Sequence, residues 1–134
     1  MKLQDQVVNL ELSKEMKKLG FKQDSLFYWI KAKGNKYWEL AIVKDGHDTI
    51  FFKDGGLGGY GYFLGLSKKN YSAYTCAELG ETLSSHFVSW KVQENYYICE
   101  QLQSIKNREK KSVFADTEAN VRAKMLIYLK KMDI

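Results

Sequence analysis

Proline is absent from this chain of 134 residues, although average usage of about 5% predicts several. Its absence excludes proline-rich recognition segments and leaves the loops to be shaped by glycine, asparagine and aspartate. No apolar run approaches the roughly 20 residues that a membrane-spanning helix needs, and residues 1–6 are too polar to open the apolar core of a signal peptide. We therefore expect a cytoplasmic protein without a membrane segment.

Cysteine and histidine are scarce, with two residues of each. Cys76 and Cys99 are too far apart for a CxxC pair, and neither His47 nor His86 has a neighbouring His, Cys or carboxylate at metal-ligand spacing. We expect both thiols to be reduced, and we predict neither a metal site nor a cofactor.

Basic residues outnumber acidic ones by 21 to 16, which gives a net charge of +5. This excess attracts polyanions at low salt, but it indicates a nucleic-acid ligand only when the charge is focused on one face. The densest basic cluster follows Tyr96 and Tyr97, a mixture that suits phosphate contact with base stacking. A solvated loop explains the same residues. The candidate phosphate contacts are Lys106, Arg108, Lys110 and Lys111.

Three segments are predicted to be short helices, because apolar residues recur at helical spacing after a good N-terminal capping residue. Hydrophobic and charged contents of 45% and 28% are typical of a globular protein, and no linker divides residues 1–134, so we expect one domain. The predicted helices are 10–19 after Asn9, 76–83 after Thr75, and 118–132 after Thr117.

Five segments rich in aromatic and β-branched residues predict strands, at 26–30, 37–43, 49–52, 87–92 and 96–102. In the fourth, Val88, Trp90 and Val92 alternate with Phe87, Ser89 and Lys91, which predicts a strand with one buried face. The order of elements lacks strictly alternating βαβ units. It favours an α+β protein with an antiparallel or mixed sheet of about five strands, covered by the three short helices.

The glycine-rich segment Gly56–Gly61 matches the pattern G-x-G-x-x-G, in which bare backbone lets a pyrophosphate approach a helix N-terminus. No helix is predicted directly after these glycines, and no βαβ unit surrounds them. We therefore predict a loop or a glycine-bearing strand that binds no nucleotide.

Cys76 is the single candidate nucleophile. A thiol at a helix N-terminus can have a lowered pKa, because the helix dipole stabilises the thiolate. We favour an ordinary first-turn helix residue, since His47 or His86 would have to reach Cys76 through the fold. An enzyme built around this thiol is the third-ranked hypothesis.

The first predicted hairpin, 26–30 with 37–43, has two largely apolar faces. A half-buried strand needs only one, so the second face must meet a helix, the glycine-rich segment or another protein chain. If another chain covers it, Trp29 or Trp38 is the candidate anchor for self-association or for a protein partner. The alternative is that both tryptophans belong to the core.

Three stretches, 19–29, 71–81 and 115–129, resemble a family of small uncharacterised proteins encoded by phages and prophage regions of gut Bacteroidales. The resemblance covers nearly the whole chain but implies no activity, so no residue inherits a role from it. Members tend to have a proline after the second helix and a less glycine-rich middle, which this chain lacks.

Taken together, these features favour a non-catalytic phage or prophage accessory protein that acts by protein–protein binding. The alternative is a nucleic-acid-binding protein that uses the basic cluster.

Overall fold

A computed structural model describes residues 2–31, 38–44, 48–53, 56–62, 70–83, 87–102 and 110–132. After a 3-10 turn at Leu3–Asp5, the helices are α1 (Leu10–Lys18), α2 (Cys76–Thr82) and α3 (Glu118–Lys131). The strands are β1 (Phe27–Lys31), β2 (Trp38–Lys44), β3 (Asp48–Lys53), β4 (Gly56–Tyr62), β5 (Tyr71–Ala73), β6 (Phe87–Gln93), β7 (Tyr96–Gln101) and β8 (Ser112–Ala115). Within these ranges no helix has the length and apolar character that crossing a membrane requires.

The helices begin at the predicted capping residues. The side chains of Asn9 and Thr117 each accept a hydrogen bond from a first-turn backbone N–H, and Thr75 and Glu78 form a complete capping box. Gly20 follows α1 with a φ of +90°, a conformation that glycine adopts without a steric penalty. The three predicted helices are therefore confirmed, each to within about a residue of its predicted end.

The strands form two antiparallel sheets, in the orders β4-β3-β2-β1-β5 and β6-β7-β8. The α+β class is confirmed, but the expectation that the five predicted strands share one sheet is wrong. Three of them lie in the first sheet and two in the second, and the sequence did not predict β5 or β8. These two strands have three and four residues, too few to show a period of two.

α3 explains the division into two sheets. Seven of its residues are buried, and they lie all around the helix rather than along one stripe. One side packs with α1 and α2 in a core that includes Met16, Leu79 and Leu126. The other side packs against the second sheet through Val121 and Met125. Because α3 needs cover on both sides, the second sheet lies against it as a separate layer.

Both faces of the β1–β2 hairpin are buried within the chain. Trp29 pairs with Leu40 across the two strands, and Tyr28 pairs with Ala41. One face contributes Tyr28, Ile30 and Ala41 to a buried cluster, and the other contributes Leu40 to a cluster with Val7 and Ala73.

Candidate functional site

The sequence suggested Trp29 and Trp38 as anchors for a partner. In the structure, both tryptophans make contacts with residues of their own chain. The indole N–H of Trp29 donates to the backbone carbonyl of Val8 at 2.9 Å, and the side chain packs against the buried cluster of the first sheet. The Trp38 ring lies 5.5 Å from the ring of Tyr71 and 5.5 Å from Lys14 Nζ. Their role as anchors stays a prediction.

Of the four basic residues predicted to contact phosphate, the structure describes Lys110 and Lys111. Lys106 and Arg108 lie outside the described residues. Lys110 and Lys111 are exposed. The backbone N–H of Lys111 donates to Gln101 Oε1 at 2.6 Å, and Lys111 Nζ lies 5.1 Å from the Tyr128 ring centroid. Lys111 is thus held beside α3 and the start of β8.

The glycine-rich segment is strand β4, and it pairs along its length with β3. Gly59 pairs with Phe51 and Gly61 pairs with Thr49. The backbone of the segment therefore hydrogen-bonds within a sheet, as predicted for a glycine-bearing strand.

Cys76 does not have the lowered pKa expected of a helix N-terminal thiol. Burial raises the pKa of the thiol to about 11, and Glu118 reinforces this by accepting a hydrogen bond from Sγ at 3.3 Å and by its negative charge. The raised pKa argues against Cys76 as a nucleophile and agrees with its interpretation as an ordinary first-turn residue of α2. Both histidines lie outside the described residues.

Cys76 should therefore react slowly in the folded protein. With a pKa of about 11 rather than 9.0, we expect alkylation by iodoacetamide at pH 8 to be at least about tenfold slower than in urea. The folded state holds the thiol proton more tightly than the unfolded state. The resulting stabilisation is complete below pH 9 and is lost as the pH rises from about 9 to about 11.

Mass spectrometry of the alkylated chain and urea unfolding between pH 7 and pH 10.5 measure these two effects. Cys99, whose pKa burial also raises to about 11, makes its own contribution, so Cys76→Ala should reduce the loss of stability without abolishing it. Equal alkylation rates in the folded and unfolded chain would show that the thiol is not protected.

A polar network links α2, α3 and β6 around the Cys76 thiol. Glu118 Oε2 accepts from Ser89 Oγ at 3.0 Å and lies 3.8 Å from Arg122 Nη2. Arg122 donates through Nε to Ser89 Oγ at 2.9 Å and through Nη1 to the Cys76 carbonyl at 2.7 Å. These hydrogen bonds and the ion pair tie the three elements together.

A groove of about 650 Å³ lies beside this network. Its walls are the 3-10 turn, the first turns of α2 and α3, and the turn between β6 and β7. The carboxylates at the start of α3 are engaged within the chain, since Glu118 joins the network and Asp116 Oδ1 accepts from Asn120 Nδ2 at 2.8 Å. Among the described residues, no group of three or more His, Cys, Asp or Glu side chains is placed to hold a metal ion.

The second sheet has one face against α3 and one face open to solvent. Cys99 and Val113 pack against α3, so the side chains of the residues directly before and after them in each strand point the other way. We call the open side the outer face. It consists of Val88, Trp90, Tyr96, Ile98, Glu100, Ser112 and Phe114, with Gln93 paired to Tyr96 and the exposed Val92 in the β-bulge beside them.

The outer face is rich in exposed aromatic and aliphatic side chains. Trp90 is 39% exposed, Phe114 44% and Val92 51%. The rings of Tyr96 and Phe114 stack on each other, with centroids 5.3 Å apart and planes 12° apart. A row of directly paired residues, Trp90–Ile98–Phe114, crosses all three strands at its centre.

The sequence predicted one buried face for β6 without specifying which set of residues forms it. The alternation predicted for β6 is present, but Val88, Trp90 and Val92 are exposed, whereas the less apolar set with Ser89 is directed toward α3. The apolar set of a strand is usually buried, and only the position of α3 shows that here it is not.

No protein-family model, curated protein or solved structure matches this chain.

Proposed function

We propose that this chain is a non-catalytic protein-binding module and that the outer face of the second sheet is its binding surface. The observation that carries the proposal is an apolar, aromatic-rich sheet face with α3 on the opposite side and solvent on this side. The resemblance to phage and prophage proteins makes an accessory role in such an element part of the same proposal.

The size of the outer face fits an interaction surface. Its five most exposed apolar side chains are between 37% and 51% exposed. For side chains of their size this corresponds to roughly 400 Å² of contiguous apolar surface, in the range at which a patch on a soluble protein is often functional. Tryptophan and tyrosine on such a surface are the residue types that contribute most to binding energy when desolvated.

A second candidate function is binding of single-stranded nucleic acid. Lys110 and Lys111 precede β8, and Lys124 Nζ donates to the Phe114 carbonyl at 2.9 Å, so cations border a face that carries aromatic rings. Two features favour a protein ligand over a nucleic acid. Tyr96 and Phe114 use one face of each ring on the other, which removes stacking surface from bases, and Glu100 places a carboxylate on the same face.

Selection from a random peptide display library would test the proposal with purified protein. We expect the enriched peptides to bind the wild-type chain and to bind a Trp90→Ser variant at least about tenfold more weakly, because the central row of the face loses its largest side chain. Leu26→Ser is the matched control, since Leu26 is an exposed apolar residue, 56% exposed, that directly precedes β1 and belongs to neither β6, β7 nor β8.

Near-ultraviolet circular dichroism and the melting temperature confirm that each variant is folded. Peptides that bind Trp90→Ser as tightly as wild type would overturn the proposal. Tight binding of mixed-sequence single-stranded DNA or RNA would replace it with the second candidate, provided that affinity falls with salt and is lost when Lys110, Lys111 and Lys124 are changed to alanine.

A further inference from the structure

We infer that the outer face is occupied by a second copy of this chain, an inference that rests on the proposed function. The face is part of a three-stranded antiparallel sheet with α3 on its other side, so it is half of a sandwich. A sheet with an apolar face is stable when that face packs on a second layer. A second sheet of the same size and twist is the layer that matches it in shape.

The arrangement of polar groups on the face selects one two-fold geometry. The apolar row Trp90–Ile98–Phe114 has a partly polar row on one side, where Glu100 pairs with Val88 and Ser112. On the other side the face ends at Tyr96. Along β7, Tyr96 lies two residues before Ile98 and Glu100 lies two residues after it.

A two-fold axis parallel to β7 would set the Glu100 carboxylates of the two copies against each other, and like charges at close range oppose binding. An axis across the strands, along the row Trp90–Ile98–Phe114, instead places Glu100 of one copy over Tyr96 of the other. The phenol can then donate to the carboxylate, while the three residues of the central row meet their own copies across the axis.

The size of the face sets the strength of the dimer. Two outer faces together bury roughly 800–1,000 Å² including their borders, which is below the roughly 1,200–2,000 Å² of stable interfaces and in the size class of weak, transient ones. We therefore expect a weak dimer, with a dissociation constant on the order of 100 µM. Each copy carries a charge of +5, so the copies repel at low salt. Dimerisation should strengthen as salt rises, the opposite of what binding to an acidic partner or a nucleic acid would do.

Sedimentation velocity with the full chain, from about 10 µM to about 1 mM and at about 50 mM and about 500 mM NaCl, tests the inference. We expect reversible dimers that are favoured by salt and that weaken at least about tenfold in Trp90→Ser but less than about twofold in Leu26→Ser. Tyr96→Phe keeps the ring on Phe114 and removes the hydroxyl, and it should weaken the dimer about fivefold. The same change should have little effect in a Glu100→Gln background, because the charge-assisted bond is then already lost.

A monomer at every concentration would overturn the inference, as would a dimer that Trp90→Ser leaves intact. A dimer that survives Tyr96→Phe but not Trp90→Ser would overturn the two-fold geometry. These failures are distinct from failure of the proposed function. If the chain is monomeric but its selected peptides still require Trp90, the outer face binds another protein. If Trp90→Ser changes neither peptide binding nor dimerisation, the outer face is not a binding surface.

Discussion

Replacing Asn120 by leucine is expected to lower the free energy of unfolding by about 3 kcal/mol. The Asn120 side chain is buried, and it connects the two ends of the chain. Oδ1 accepts from the backbone N–H of Asn9 at 2.8 Å, and Nδ2 donates to Asp116 Oδ1 at 2.8 Å. Leucine is of similar size but removes the hydrogen bond to Asn9 and the hydrogen bond to Asp116, so α3 loses its polar link to the N-terminal segment. Urea unfolding followed by circular dichroism measures the change.

Gln4→Leu is the control for this substitution, because it makes a comparable amide-to-leucine change at an exposed position of the 3-10 turn. We expect it to change stability by less than about 0.5 kcal/mol. If Asn120→Leu were as stable as Gln4→Leu, the amide of Asn120 would not be what fastens the N-terminal segment to α3.

Replacing Arg122 by alanine is expected to cost about 2–3 kcal/mol of stability. The guanidinium donates hydrogen bonds to Ser89 and to the Cys76 carbonyl, and it forms an ion pair with Glu118. Its removal leaves a partly buried carboxylate without a counter-charge. Lys18→Ala, an exposed cation-to-alanine change on α1, serves as the control and should be nearly neutral in the same unfolding experiment.

Gly80 gives a sharper test of the same network. Glycine within a helix is normally destabilising, and its replacement by alanine gains up to about 1 kcal/mol. Here a Cβ on Gly80 would lie 2.5 Å from Arg122 Nη1, and that atom is held by the Cys76 carbonyl. We therefore expect Gly80→Ala to destabilise the wild-type chain but to stabilise the Arg122→Ala variant. A stabilising effect in both backgrounds would show that the guanidinium is not fixed where the network requires it.

Local sequence chemistry was sufficient to predict the helices. The capping side chains of Asn9, Thr75 and Thr117 act within one turn of their own position, so their neighbours in sequence determine what they do. Prediction of the strands and sheets was less complete, because a strand forms by pairing with residues that are distant in the sequence. β8 lies between a basic cluster and a helix cap, and its four residues become a strand only because β7 offers a partner edge.

The candidate surface could not be predicted from the sequence, because its exposure depends on where α3 packs. Ala119, Ala123 and Leu126 of α3 pack in the core that α1 and α2 share. The structure also buries Val121 and Met125, against the second sheet. The contact of Val121 and Met125 with the second sheet decides which side of β6 is covered by α3. The periodicity of β6 alone does not show which side that is. The sequence therefore does not show which face of β6 is exposed, and its candidates for contact with a partner are Trp29 and Trp38 rather than Trp90.

The most direct test of the outer face is methyl NMR of the chain labelled at isoleucine, leucine and valine. Spectra recorded at rising protein concentration, and again with a selected peptide, report where contact occurs. We expect shifts at Val88, Val92 and Ile98, with the Leu26 and Ile127 methyl signals unchanged. Shifts centred on Leu26, or on residues of the groove beside α2 and α3, would contradict the assignment of the outer face as the binding surface.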